Sequence, residues 1–412
     1  MKRHVMVVMM AWMISGPVSA QRGGRSPQGP GNYTIEQACS DRAQLNTIAF
    51  DALGFLTGDL CSSTFLPPGK VCDYFGFQYM RDIDTGTGGH NTDFLTDAAN
   101  NVWTILNGAQ KEQLIALARE QAGKLQDLAR MRFPLIKAFH RELQKDIPTG
   151  STGLNREAVK KYSGDLFESD GLLAFRRAQI FGSVVLSLDA AQKEAFSKLV
   201  FGQSSTWMKM PEQIDKRGFT HEEHVALMTY ASEFLSWYRG SVEADTYFCP
   251  ERHGTYFGSF YMKDAPAMGK KGYSISTALT GDKGEAFLDT LTASQRTLIT
   301  SLIDLQRGDL VEIVKIRRAI SFELRRFLNS PGADQATALA LMRRYGELDG
   351  EISWCYATHF SQVAATLTGT QKESLMRLRD LDDYPCSGTY LYSERIPMPV
   401  FANTDFLFGV TK

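Results

Sequence analysis

Along most of this chain the hydrophobic positions recur every three or four residues, the spacing of a helix with one buried face. From Leu114 to Leu143, and again from Leu298 to Leu328, apolar residues at that spacing are interleaved with Arg, Lys, Glu and Gln. Each stretch predicts an amphipathic helix of about eight turns. Pro134 predicts a kink in the first, because proline lacks the N–H that a helix interior uses; Ala319 holds that place in the second. Thr34 and Thr220 stand three residues before Gln37 and Glu223, the reciprocal cap that opens a helix. Strand-like alternation is scarce, so the expected fold class is all-α.

The helical pattern occurs twice. Tyr74-Phe-Gly-Phe-Gln-Tyr-Met-Arg-Asp82 returns as Tyr256-Phe-Gly-Ser-Phe-Tyr-Met-Lys-Asp264, about 180 residues later. Three more matches follow in the same order: Gln121–Leu143 with Gln306–Leu328, Asp170-Gly171 with Asp349-Gly350, and Leu188–Lys193 with Leu367–Lys372. Collinear matches at a nearly constant offset imply an internal duplication. They predict two tandem pseudo-symmetric helical domains, 33–205 and 219–387, joined by a linker at 206–218 and followed by an extended, Pro-containing tail at 388–412. An approximate two-fold axis with long helices at the interface is the expected packing.

Within each repeat one short pattern appears at two places. The four instances are Leu106-Asn-Gly-Ala-Gln110, Leu188-Asp-Ala-Ala-Gln192, Leu291-Thr-Ala-Ser-Gln295 and Leu367-Thr-Gly-Thr-Gln371. Asn, Asp or Thr accepts from the first-turn N–H groups, and Gln three residues on reaches back to the cap, so each predicts a helix start. The last two spell Leu-Thr-x-x-Gln, which resembles the signature of the small periplasmic helical proteins of the Spy and CpxP type. The resemblance covers these motifs alone, and Asn107 and Asp189 replace Thr in the first two. It implies a curved helical body that binds unfolded chains or takes part in envelope-stress and metal sensing.

The residues kept in both aromatic segments are the candidate ligand-binding set: Tyr74, Tyr79, Met80, Arg81 and Asp82, with Tyr256, Tyr261, Met262, Lys263 and Asp264. Rings and thioethers would supply an adaptable apolar wall, while the charged residues orient a polar group. The competing reading is a packing plug, with glycine admitting close backbone approach. After the first segment, Asp82, Asp84 and His90 form a candidate metal set, although the run lacks the glycine and long Glu of a calcium loop. His221 and His224 share a helix face, but they also sit in the first turn after the Thr220 cap, where their acidic neighbours suit the helix dipole.

Composition changes this picture in three ways. Lys2-Arg-His4, an apolar run to Ile14 and Val18-Ser-Ala20 read as a secretory signal peptide cleaved near Ala20, followed by a Gly/Pro/Arg-rich leader to residue 32. A periplasmic or secreted location follows, and no later run is long enough to span a bilayer. Lys and Arg number 45 against 46 Asp and Glu, which gives no electrostatic reason to expect nucleic acid. Six cysteines in an oxidising compartment favour disulfides, with the pairing open. With 43% hydrophobic residues there is ample material for a core. No catalytic triad, CxxC or CxxCH is present, and the cofactor is unknown. The expected function is a non-catalytic exported binding protein, chaperone-like or ligand- or metal-sensing, with unfolded or envelope proteins or a small ligand as partner. An exported enzyme or redox protein with a bound cofactor or metal is the rival, and a structural envelope component the third reading.

Overall fold

The computed structural model describes residues 35–58, 60, 74–76, 79–80, 92–211, 214–247, 256–257, 277–379, 400 and 403–410. Among them the regular structure is helical, with no strand. In the first half the helices are α1 (Ile35–Ala38), α2 (Asp41–Thr57), α3 (Thr92–Ile105), α4 (Gly108–Met131), α5 (Phe133–Gln144), α6 (Arg156–Leu186) and α7 (Ala190–Ser197). In the second half they are α8 (His221–Arg239), α9 (Val242–Thr246), α10 (Thr277–Thr290), α11 (Ala293–Arg325), α12 (Gln335–Thr366) and α13 (Gly369–Arg379). The order of long helices in the first half therefore recurs in the second. Two local differences have visible causes. Pro134 enters at the start of α5 after a break at Arg132, whereas α11 runs through the equivalent point unbroken. The first half also opens with a short turn, α1, and α2 restarts at a Ser40 cap; α8 starts directly from Thr220 with the full reciprocal cap.

The packing units differ from the sequence halves. Helix α2 lies against α10, α11, α12 and α13 of the second half, and α8 lies against α3, α4 and α7 of the first. Each half thus lends its first long helix to the other's bundle. The reason is written in those two helices: from Ile48 to Phe55, and from Tyr230 to Trp237, every residue is buried. A helix buried on all sides, its few polar members Asp51, Ser232, Glu233 and Ser236 included, belongs in the middle of a bundle and not on one face of it.

The two bundles meet along α6 and α12, the most extensive helix pair among the described residues. Their approach is close because a glycine stands at the crossing. A Cβ on Gly346 would lie 2.5 Å from both the Ser163 carbonyl oxygen and the Phe167 Cβ. Contacts are paired about that point, Gly171 meeting Met342 and Gly350 meeting Ser163. The end of the chain returns to the first half. Leu407 and Phe408 are buried, the Asn155 N–H donates to the Leu407 carbonyl at 2.8 Å, and Arg141 donates to Thr404 and Asp405 at 2.9 and 2.8 Å. Residues 405–408 form a 3₁₀ turn, where an extended tail was expected. No single helix among the described residues is long and apolar enough to cross a membrane.

Candidate functional site

The aromatic segments sit in the core. Tyr74, Phe75, Met80, Tyr256 and Phe257 are all buried. Phe75 packs edge-on against Phe181 at 5.5 Å and Trp237 at 6.2 Å, and its carbonyl accepts a 2.7 Å bond from Ser236. Gly76 has φ +67°, and a Cβ there would lie 2.8 Å from Asp245 Oδ1, so glycine is required at this corner. Phe257 stacks on Phe139 at 5.6 Å and meets Phe55 and Phe360. Tyr256 lies with its hydroxyl 3.4 Å from Ser163 Oγ. Each segment therefore wedges rings between one bundle's long helix and the first helix lent by the other half. Among the described residues of the segments, Tyr79 alone is half-exposed, its ring 5.1 Å from Tyr247 and its phenol pKa raised by burial. Arg81, Asp82, Asp84, His90, Tyr261, Met262, Lys263 and Asp264 lie outside the described residues. At the α8 start, Thr220 and Glu223 cap each other, and His224 Nε2 is 3.3 Å from the Ile214 carbonyl.

The four repeated motifs pair off. Gln110 and Gln192 complete their own caps and also face each other, with Gln192 donating to Gln110 at 2.7 Å. Each then reaches the end of the helix preceding its partner: Gln110 donates to the Ser187 carbonyl at 3.2 Å, and Gln192 to the Ile105 carbonyl at 2.9 Å. Gln295 and Gln371 repeat this with Thr366 and Thr290, at 3.1 and 3.0 Å. One glutamine pair thus satisfies groups at two helix starts and two helix ends, all of which a packed bundle would otherwise leave to water. The motif is a structural clasp.

A buried polar network lies inside the first bundle, assembled from three helices. Arg177 of α6 donates to Glu233 of α8 at 2.7 Å, both side chains being almost fully enclosed. Its guanidinium lies over the rings of Phe75 and Tyr230, at 5.2 and 4.6 Å. Burial alone would lower the Arg177 pKa; the charges of Glu233, Tyr230 and Asp170 carry it above its ordinary value instead. Tyr230 donates to Gln121 Oε1 at 2.7 Å, and Gln121 donates to the Leu173 carbonyl at 3.0 Å. In the second bundle Tyr356 stands where Arg177 does and donates to Gln306, which in turn donates to Gln44 at 2.9 Å. Burial, then the charge of Asp51, raises the Tyr356 pKa well above that of a free phenol.

Gln121 is also the floor of a surface slot between α4 and α6, of about 380 Å³. Its lining includes the Glu120–Arg176 ion pair at 3.2 Å and Met131, whose carbonyl accepts from the Tyr162 hydroxyl at 2.9 Å. The lining is mainly apolar, with Leu128 and Leu173 buried, and Met131 and Leu172 exposed at 38% and 46%. The arrangement can take up apolar groups beside a polar rim that includes Lys124 and Asp127.

The second bundle is built differently at the matching place. Helix α11 packs on α12 more extensively than α4 packs on α6. Asp309 stands for Lys124, Glu351 for Leu172 and Leu348 for Ser169. Glu351 reaches back to Arg156 and, at 3.4 Å, to Lys160, while Arg344 bridges to Glu312 at 2.9 Å. Burial, with Glu351 and Glu312 nearby, raises the Asp309 pKa against the opposing effect of Arg344 and Lys160. A carboxyl with a raised folded-state pKa favours folding while protonated, and that advantage is lost as pH rises through the folded value. Asp309→Asn is therefore expected to raise the melting temperature at pH 7.5, with the gain shrinking toward pH 4. A lower melting temperature than wild type at pH 7.5 would contradict this electrostatic assignment.

Sequence matching between the halves did not single out the slot, because Gln121 is shared with Gln306 and Leu128, Met131 and Leu173 match Ile313, Ile316 and Ile352, leaving only the exchanged residues to distinguish it. The usable signal was the set of exchanges themselves: Lys124 for Asp309, Leu172 for Glu351 and Ser169 for Leu348. The disulfide expectation fails at two positions. Cys39 and Cys355 are free thiols, and burial foremost pushes each to about 11, as for small core-filling side chains. The other four cysteines lie outside the described residues. Comparison with protein-family models, with curated proteins and with solved structures finds no match to this chain.

Proposed function

We propose that this is an exported, non-catalytic binding protein, built from two copies of one helical unit, whose binding place is the slot between α4 and α6. The observation that carries the reading is the slot itself, where Leu172 and Met131 stay exposed above a floor of buried Leu128, Leu173 and Gln121. Exposed apolar side chains gathered in a concavity mark ligand sites more often than scattered ones do. The buried network behind the floor ties α4, α6 and α8 together, so the slot is held open by a rigid support. Export is supported by the N-terminal sequence pattern, and duplication by the shared helix order and the two equivalent clasps.

The test is a titration of the purified protein with the apolar dye ANS. Saturable binding near one dye per chain is expected, and it should be lost in Ser169→Leu, which places the second half's leucine in the slot. Dye binding that is absent, or that is unchanged in Ser169→Leu, would remove the slot as a binding place. Suppression of client aggregation by wild type but not by Ser169→Leu would favour capture of apolar protein segments through the same slot.

A further inference from the structure

Resting on that reading, the geometry points to a particular ligand class: we infer that the slot takes a single-chain amphiphile with an anionic head, a free fatty carboxylate. Three observations bear on this. The first is shape. The lining runs from Glu120 to Met131 along α4, eleven helical rises and so about 16 Å. A groove of that length, with the Glu120–Arg176 ion pair at one end of its lining, suits one chain of limited length. A zigzag of carbon–carbon bonds of about 1.5 Å fills such a length with roughly a dozen carbons.

The second observation is the charge on the rim. Glu120 is engaged by Arg176 at 3.2 Å, and Asp127 by Arg130 at 3.4 Å. Lys124 is exposed at 57%, and its contact with the already engaged Glu120 is 3.6 Å long. Of the rim charges, its ammonium is the least committed within the chain and the one placed to receive a carboxylate. The third observation is the contrast between the halves. At the matching place in the second bundle the lysine is Asp309 and the exposed leucine is Glu351, carboxyl groups that offer an anionic head no cation to meet. The exposed leucine and the rim cation thus occur together in one bundle and are replaced together by carboxylates at the matching positions of the other.

The experiment is calorimetric titration of the full chain with dodecanoate, dodecanol and dodecyltrimethylammonium, each below its aggregation threshold. Dodecanoate is expected to bind at one site per chain. Removing two methylenes should weaken it by about tenfold, since each buried methylene is worth about fourfold. Leu172→Glu should abolish binding of all three, and its exposure keeps the fold out of the result. Lys124→Asp should weaken dodecanoate by about tenfold and leave dodecanol unchanged. Equal binding of the three amphiphiles, or dodecanoate binding indifferent to Lys124→Asp, overturns the anionic-head inference while the slot stands. Failure of all three to bind, in a protein that still binds the dye in a Ser169-dependent way, overturns the ligand class. Failure of both amphiphiles and dye removes the binding reading on which it rests.

Discussion

Arg177→Met is expected to cost the fold about 3–5 kcal/mol, the usual penalty for removing one partner of an enclosed ion pair. The substitution conserves volume approximately and removes the guanidinium that Glu233 contacts at 2.7 Å, beneath the rings of Phe75 and Tyr230. The damage would not stay on α6. Glu233 and Tyr230 belong to α8, and Gln121, which accepts from Tyr230, belongs to α4. Urea denaturation measures the loss, and its pH dependence identifies the cause. Carboxylates deprived of the cation would have folded-state pKa values above their unfolded ones, so the deficit is complete at neutral pH and narrows toward the ordinary carboxylate range of about 4. Arg177→Met/Glu233→Gln should recover part of the stability. A loss below about 1 kcal/mol, or one independent of pH, would show that the pair does not hold the three helices together.

How much of this could be read from the chain depends on which kind of signal carried each feature. Local signals were sufficient for the helices and their starts. Thr220 with Glu223, and the four Leu-x-x-x-Gln motifs, cap helices as their spacing implies. Pro134 breaks its helix where Ala319 does not. Partnership was not legible. Nothing in Leu106–Gln110 says that Gln110 meets Gln192, because the second function of each glutamine depends on two chain turns brought together by the bundle. The exchange of first helices shows only in residues 48–55 and 230–237, which are mostly apolar and buried right round the helix. Eight residues are about two turns, too short a span for periodicity to separate a central helix from a facial one.

Retention in both halves proved a guide to packing. Tyr74, Phe75, Tyr256 and Phe257 are retained and buried. A core position is constrained alike wherever the same helices meet, so repeated residues mark the shared scaffold. A site present in one bundle must come from positions where the halves diverge. Arg177 against Tyr356 and Lys124 against Asp309 are such positions, and each changes the charge of its surroundings.

The exchanged helices lead to the other large expected effect. If a specific protease site is inserted between Arg217 and Gly218, in the exposed run before α8, cleavage should leave the two fragments associated. The N-terminal fragment keeps α2, which is seated in the second bundle. The C-terminal fragment keeps α8, seated in the first, together with the 405–408 turn docked on α5 and α6. Leu227, Tyr230, Phe234, Leu235 and Trp237 of α8 are all buried against that first bundle or the segments wedged beside it. At about 2 kcal/mol for each large apolar side chain, α8 alone contributes about 10 kcal/mol to holding the fragments together. Helix α2 contributes comparably from the other side, with Ile48, Phe50, Leu53 and Phe55 enclosed. The nicked protein should therefore elute from a sizing column as the intact one does, and the fragments should part only in denaturant. Two independently folded domains joined by a linker would behave otherwise: fragments eluting apart in native buffer would mean that each half keeps its own first helix.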